Sequence, residues 1–161
     1  MLNIKTILHP TDFSEYSNHA FGVACALARD HGAQIVILHV AEPPMVGTGD
    51  GLVVLPPPVD LESLRKRLEQ LQPDSAIPVE CRLVQGNAVM GILEVAQETK
   101  CDLIVMGTHG RTGLGRLLIG SVAEQVVRRA SCAVLNVKKP MLEATVAPEA
   151  SPTQVRQTTK K

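Results

Sequence analysis

The chain has 161 residues, 45% of them hydrophobic and 20% charged, with a formal net charge of zero, enough for one domain with a proper core. Without a basic excess the electrostatic case for nucleic acid is weak, and 2% aromatic content with no Trp weakens a base-stacking surface further, so no nucleic-acid partner is expected. No apolar run approaches the ~20 residues of a membrane span, and Met1-Leu2-Asn3-Ile4-Lys5 reads straight into a strand rather than a leader, so the chain is expected to be cytoplasmic, without membrane insertion.

Ile4 to His9, apolar and β-branched and ended by Pro10, reads as the first strand. Asp12 or Ser14 is placed to cap the helix that follows over about Glu15 to His31, whose stripe is Ala20, Val23, Ala24, Leu27 and Ala28 and whose stop is Gly32. Gln34 to Val40 is a nearly continuous apolar run, as in strands buried on both faces of a parallel sheet. Residues 41–58 carry five prolines and three glycines and read as a long loop, with an apolar patch at Leu52-Val53-Val54-Leu55. Leu61, Leu64, Leu68 and Leu71 mark a second helix that Pro73 ends. Pro78 to Val84 alternates, Val79, Cys81 and Leu83 against Glu80 and Arg82, as in a strand near a sheet edge. Asn87 then caps a third helix on Val89, Ile92, Leu93 and Ala96, ending near Lys100. Leu103 to Met106 is a fourth strand. Ile119, Val122, Ala123, Val126, Val127 and Ala130 give a fourth helix, and Cys132 to Val137 a fifth strand.

From about residue 140 the composition turns to Glu, Ala, Pro, Thr and Gln, which predicts a folded domain over 1–139 and a disordered tail over 140–161. Alternating strands and helices predict an α/β three-layer domain on a mostly parallel sheet. Cys25, Cys81, Cys101 and Cys132 lie far apart without a CxxC pair, so they read as buried free thiols rather than a zinc site or a disulfide framework.

Five of the twelve glycines fall within Gly107 to Ser121, between the fourth strand and the fourth helix. Glycine there lets backbone N–H groups turn to a ligand, and a helix N-terminus suits a phosphate. In a doubly wound sheet the ligand crevice lies at the carboxyl ends of strands beside the switch point. A 3-2-1-4-5 order would bring this loop to the Pro10-Thr11-Asp12 turn. The P-loop pattern fails for want of a lysine, and GxGxxG fails at Leu118. A flavin site and a receiver-type acidic cluster lack their residues as well. His9 and His109, at strand ends, read as hydrogen-bonded structural groups before they read as bases.

The spacing Gly107-x-x-Gly110-(nine residues)-Gly120-Ser121 resembles the G-2x-G-9x-G-[S/T] nucleotide motif of the universal stress protein family. Ile7-Leu8-His9-Pro10-Thr11-Asp12-Phe13-Ser14, Ile37-Leu38-His39-Val40 and Ile104-Val105-Met106-Gly107 reinforce it. The resemblance implies an adenine nucleotide α-hydrolase-like fold, a doubly wound parallel five-stranded sheet of order 3-2-1-4-5, bound ATP with or without Mg or Mn, and a homodimer through Cys132 to Val137. It places Pro10, Thr11 and Asp12 at the adenosine, with Asp12 accepting from ribose hydroxyls, and Val40 at adenine through its backbone. Gly107, Thr108, His109, Gly110, Arg111, Thr112 and Gly113 would wrap the phosphates. Gly120, Ser121, Val122 and Ala123 would offer the helix end. Arg111 and Arg116 either neutralise phosphate or are simply solvated.

Three readings follow. The first is a nucleotide-dependent regulatory binding module in stress response, acting on a protein partner that the sequence does not identify. The second is a slow ATPase or ATP-using enzyme, whose metal would have Asp12 and the phosphates as ligands. The third is a dimeric scaffold with a vestigial nucleotide site. No catalytic or metal-ligating residues are assigned.

Overall fold

A computed structural model describes residues 3–43, 58–73, 76–108 and 120–138. The Leu52–Leu55 patch, Ile119 and the expected tail over 140–161 lie outside the described residues. Strands and helices alternate: β1 (Thr6–Pro10), α1 (Glu15–His31), β2 (Gln34–Ala41), α2 (Leu61–Glu69), β3 (Val79–Gln85), α3 (Ala88–Glu98), β4 (Leu103–Gly107), α4 (Ser121–Arg129) and β5 (Ala133–Val137). All four strand pairings are parallel, in the order β3-β2-β1-β4-β5.

Side-chain alternation along the three central strands divides the core into two layers. Ile7, Ile35, Ile37, Leu103 and Val105 meet Ala20, Ala24 and Ala28 of α1 and Leu68 of α2. Leu8, Val36, Leu38, Ile104 and Met106 meet Val89, Ile92 and Val95 of α3 and Ala123 and Val126 of α4. With so few aromatics the layers are built of aliphatic side chains, and α1 turns its alanine stripe to the sheet. Both faces of β1, β2 and β4 are therefore apolar, the pattern of a parallel sheet covered on both sides.

Local chemistry sets the boundaries. Ser14 is the N-cap of α1, its side chain accepting from the Ser17 N–H, while Gly32 closes the helix at φ 64°. β1 starts at Thr6 rather than Ile4, because its register with β2 begins at Thr6 opposite Gln34. Just ahead of that point, Asp102 Oδ2 accepts from the backbone N–H groups of Lys5 (2.8 Å) and Thr6 (3.0 Å). Those two donors hold the Asp102 carboxyl below the usual carboxylate range. α2 stops at Glu69, short of the Leu71 expected from the leucine spacing. The Leu71 N–H bonds Leu68 C=O in a tighter turn, and the residue before Pro73 is disfavoured in helix.

Alternation in β3 correctly signals an edge strand, but the expectation that Cys81 is buried fails. Cys81 is exposed, whereas Cys25 and Cys101 are buried and Cys132 is half-buried. The nine-residue α2 buries only Leu68, too little to cover the outer strand. No helix among the described residues is long and apolar enough to cross a membrane.

Candidate functional site

The site originates where β1 and β4 part. Their ladder pairs Ile7 with Leu103 and Leu8 with Ile104. Beyond it the Val105 carbonyl accepts from Nδ1 of His9 at 2.9 Å. On the other side, β1 stays with β2 through Pro10 opposite Leu38, and Thr11 N–H donates to Leu38 C=O. The chain leaves β1 toward α1 on one face of the sheet and reaches β4 from α3 on the opposite face. The carboxyl ends of the two strands therefore frame an open crevice at the point where the strand order reverses.

His9, next to Pro10 of the rim, lies inside the fold rather than on the cleft wall. It is fully buried, and burial lowers its pKa to about 4, against the opposing effects of its bond to Val105 and the Asp12 charge. The ring is therefore neutral at pH 7, with its proton on Nδ1 and Nε2 left as acceptor, 3.5 Å from Ser17 Oγ. Ser17 Oγ also lies 2.9 Å from Thr11 Oγ1, which in turn accepts from Phe13 N–H. This chain satisfies the buried hydroxyls beneath the crevice without placing a charge there.

The turn from β1 to α1 is backbone-strained. Phe13 sits at φ 62°, a left-handed conformation that costs a non-glycine residue about 1–2 kcal/mol. Bonds on either side hold it: Asp12 Oδ1 accepts from Ser14 N–H, and His39 Nδ1 donates to Thr11 C=O at 2.7 Å. The Phe13 ring packs on His39 at 4.5 Å between centroids, with the Arg67 guanidinium of α2 4.2 Å above it. The strain thus fixes the direction of the Thr11–Asp12 segment at the crevice rim.

The far rim is the start of α4. α1, α2 and α3 are capped by the side chains of Ser14, Asp60 and Asn87, but the N-cap of α4 is Gly120, with no side-chain cap. The first N–H groups of a helix have no intrahelical acceptor, and those of Ser121, Val122 and Ala123, residues that line the crevice, receive none from a side chain at the N-cap. Thr108 C=O fixes this end by accepting from Gly120 N–H at 2.7 Å, and Thr108 N–H donates to Val137 C=O.

These elements enclose a cleft of about 370 Å³, within the range of small-molecule sites. Pro10, Thr11 and Asp12 line it from β1, and Val40 from β2. Gly107, Thr108, Gly120, Ser121, Val122 and Ala123 line it from β4 and α4. Of the residues expected at the site, His109, Gly110, Arg111, Thr112 and Gly113 lie outside the described residues, as does Arg116.

Three polar residues of the wall, Ser17, His39 and Glu42, and the apolar Leu38, Ala88, Ile92 and Met106 are not among the residues expected from the sequence. His39 had a signal, since it belongs to the strand-two motif and ends an apolar run one residue before Val40. Glu42 had none. Its carboxylate accepts from Ala88 N–H at the start of α3, across 46 positions of sequence. Among the described residues no three His, Cys, Asp or Glu side chains converge as a metal site.

A side chain at Gly107 or Gly91 would crowd neighbouring atoms. A Cβ at Gly107 would stand 3.1 Å from the backbone carbon and oxygen of Tyr16 in α1. One at Gly91 would stand 3.0–3.2 Å from the methyl groups of Val40 and Val84. The second contact lets α3 settle against the strand that carries Val40 to the cleft.

The universal stress protein family profile matches residues 3–138. Universal stress protein MJ0531 of Methanocaldococcus jannaschii is 35% identical over 145 residues, covering 86% of this chain and 85% of that protein. A universal stress protein of Thermus aquaticus, described by its place in a QAH/OAS sulfhydrylase 3′ region, is 37% identical over 142 residues, covering 83% and 98%. Among solved structures, a universal stress protein in complex with cAMP superposes with a TM-score of 0.65 at 26% identity, covering 84% of this chain and 98% of that one. The strand order and helix placement are those of the adenine nucleotide α-hydrolase-like fold. On sequence and fold alike, the chain belongs to the universal stress protein family.

Proposed function

We propose that the chain binds ATP in the cleft between β1 and β4 and acts as a nucleotide-dependent regulatory module in stress response. The observation that carries this reading is the meeting, in one cleft, of the Pro10–Asp12 turn and the α4 N-terminus, whose N-cap Gly120 offers no capping side chain. The first offers a carboxylate for ribose hydroxyls, and the second offers N–H groups and a partial positive charge for phosphate. A family structure holding cAMP at 26% identity supports an adenine nucleotide as the ligand class.

Asp12 would accept from the ribose, the Val40 backbone would meet adenine, and Ser121, Val122 and Ala123 would donate to phosphate. Gly107 and Thr108 begin the phosphate-side wall, which His109, Gly110, Arg111, Thr112 and Gly113 would continue. A Mg or Mn ion would find the Asp12 carboxylate and the phosphates as ligands. Binding rather than turnover is the favoured activity, because His9 is buried off the cleft wall and neutral, and His39, on the wall, has its Nδ1 committed to the Thr11 carbonyl. The folded unit is placed at 1–139 and its action in the cytoplasm. A homodimer would form through the edge strand β5, whose backbone invites pairing.

The test is to denature the purified protein and identify released nucleotide by mass spectrometry, then to titrate ATP, AMP and cAMP against the melting temperature. Ligand at 100 times its Kd stabilises by about 2.7 kcal/mol, a rise of roughly 5–10 °C for a domain of this size. Absence of copurified nucleotide together with an unchanged melt at millimolar Mg-ATP would overturn the reading. Phosphate release over hours would move it to the ATPase.

A further inference from the structure

At the end of the sheet opposite the cleft, two cysteines meet. Cys101 lies between α3 and β4, and Cys132 between α4 and β5. Their sulfurs are 3.5 Å apart although 31 positions separate them in sequence. A disulfide requires the sulfurs at about 2.05 Å, so closure needs a movement of roughly 1.5 Å, within the reach of small side-chain rotations.

The backbone on both sides is already set for this meeting. α3 ends through Lys100 at φ 48°, and Cys101 N–H then bonds Ala96 C=O at 3.1 Å. Asp102, the next residue, is tied to Lys5 and Thr6. Cys132 directly precedes Ala133, which is in register with Leu103. Both thiols contribute to the apolar layer beneath α3 and α4. No third His, Cys, Asp or Glu joins them among the described residues, so they do not form a metal set.

We propose that Cys101 and Cys132 are a peroxide-responsive dithiol that closes into an intramolecular disulfide, joining the α3–β4 junction to the α4–β5 junction. The two thiols differ in access: Cys101 is buried, whereas Cys132 is half-buried. Burial and the neighbouring Cys132 thiol push the Cys101 thiol well above its usual range, keeping it protonated. Cys132 is therefore the first to react.

Its thiolate attacks one peroxide oxygen, the O–O bond breaks, and a sulfenic acid and hydroxide result. The Cys101 sulfur then attacks the sulfenic sulfur and gives up its proton. The S–S bond forms, the S–O bond breaks, and water leaves. In total two thiols are oxidised and one peroxide is reduced to two waters. The closed ring contains β4, the glycine-rich stretch and α4. The chemistry is independent of nucleotide binding.

The full-length protein is treated with hydrogen peroxide at a few equivalents, alkylated, digested without reductant and mapped by mass spectrometry. The expected product is a peptide pair joining Cys101 to Cys132, 2 Da lighter than the two thiols and separated by dithiothreitol. Cys132→Ser and Cys101→Ser each abolish it, and Cys81→Ser leaves it intact. Cross-linking a loop of this length should also raise the melting temperature by at least about 5 °C. The proposal is overturned if Cys101 and Cys132 are both alkylated while only the exposed Cys81 is oxidised. It is equally overturned if Cys132 advances to sulfinic acid in the wild-type chain with Cys101 still free. Because the wild-type map decides between these outcomes, a variant that fails to fold does not remove the test.

Discussion

Gly107 ends β4 directly against Tyr16 in the first turn of α1, so that a Cβ would lie 3.1 Å from the Tyr16 carbonyl carbon and oxygen. Backbone atoms cannot rotate away as a side chain can. Gly107→Ala should therefore cost about 1–3 kcal/mol as overpacking and lower the melting temperature by roughly 2–10 °C without any nucleotide present. An unaltered ligand-free melt combined with lost nucleotide binding would instead put this glycine's purpose at the ligand.

Gly91 presents the opposite balance of terms. Alanine in a helix interior is favoured over glycine by about 0.5–1 kcal/mol. The methyl group would nevertheless press on Val40 and Val84 at 3.0–3.2 Å, and β-branched side chains yield little at χ1. Overpacking of about 1–3 kcal/mol wins, so Gly91→Ala should destabilise by up to about 2 kcal/mol in urea unfolding. Adding Val40→Ala should recover part of the loss, and a double-mutant coupling of at least ~0.5 kcal/mol is expected. Additive costs would mean that the contact carries no energy.

His9 sets a pH dependence of stability. Its folded pKa is about 4 against an ordinary value of 6.5, so between these limits the unfolded chain binds the additional proton. Stability is complete above about pH 6.5 and falls as pH drops toward 4, by an amount on the order of 3 kcal/mol in total. Asp102, also held below its ordinary value, contributes stability that is lost only as pH falls through its own lower range. Urea midpoints between pH 7.5 and 5 should thus read histidine titration apart from Asp102, and the His9 variant separates its share. His9→Asn keeps a donor toward Val105 and removes the titration, so its midpoint should change less over that range than the wild type's. Parallel curves would refute the assignment.

Capping of α4 can be set against ligand binding. Gly120 has φ −57° and ψ 149°, a conformation open to any residue, and Asp is a favoured N-cap that changes stability by only a few tenths of a kcal/mol relative to Gly. Gly120→Asp should leave the ligand-free melt within about 1–2 °C of wild type. Its carboxylate would occupy the N–H groups proposed for phosphate, so the rise in melting temperature with ATP should vanish. A full ATP shift in this variant would exclude the α4 end as the phosphate site.

The layered sheet was legible because buried parallel strands and alanine-striped helices leave unambiguous periods, as in Ile35 to Leu38 and in Ala20, Ala24 and Ala28. The edge position of β3 was legible from its alternation. The exposure of Cys81 was not, since alternation states which way a side chain faces but not whether a helix covers it. The cleft residues known from motifs sit on single segments, Pro10 to Asp12 and Gly120 to Ala123. Ser17 and Glu42 were missed because each becomes part of the wall only through a neighbour brought in by the fold, Thr11 for the first and Ala88 for the second, whereas His39 stood in the strand-two motif without being assigned to the site. Gly107 illustrates a subtler limit. Its position in a glycine motif was readable, but its steric partner in α1 was not.

The position of β1 has a consequence for the order of assembly. Its first neighbour, β2, follows after one helix, but the strand on its other side begins at Leu103, and Asp102 must cross 97 positions to reach the Lys5 amide. During synthesis, β1 through β3 can associate while that flank of β1 still has no strand to pair with. A nascent chain that has not yet released α4 from the ribosome carries the Asp12 rim without the opposing one. Competence for the proposed nucleotide would therefore arrive only once α4 has joined the fold, and a bound nucleotide would mark chains that have completed it.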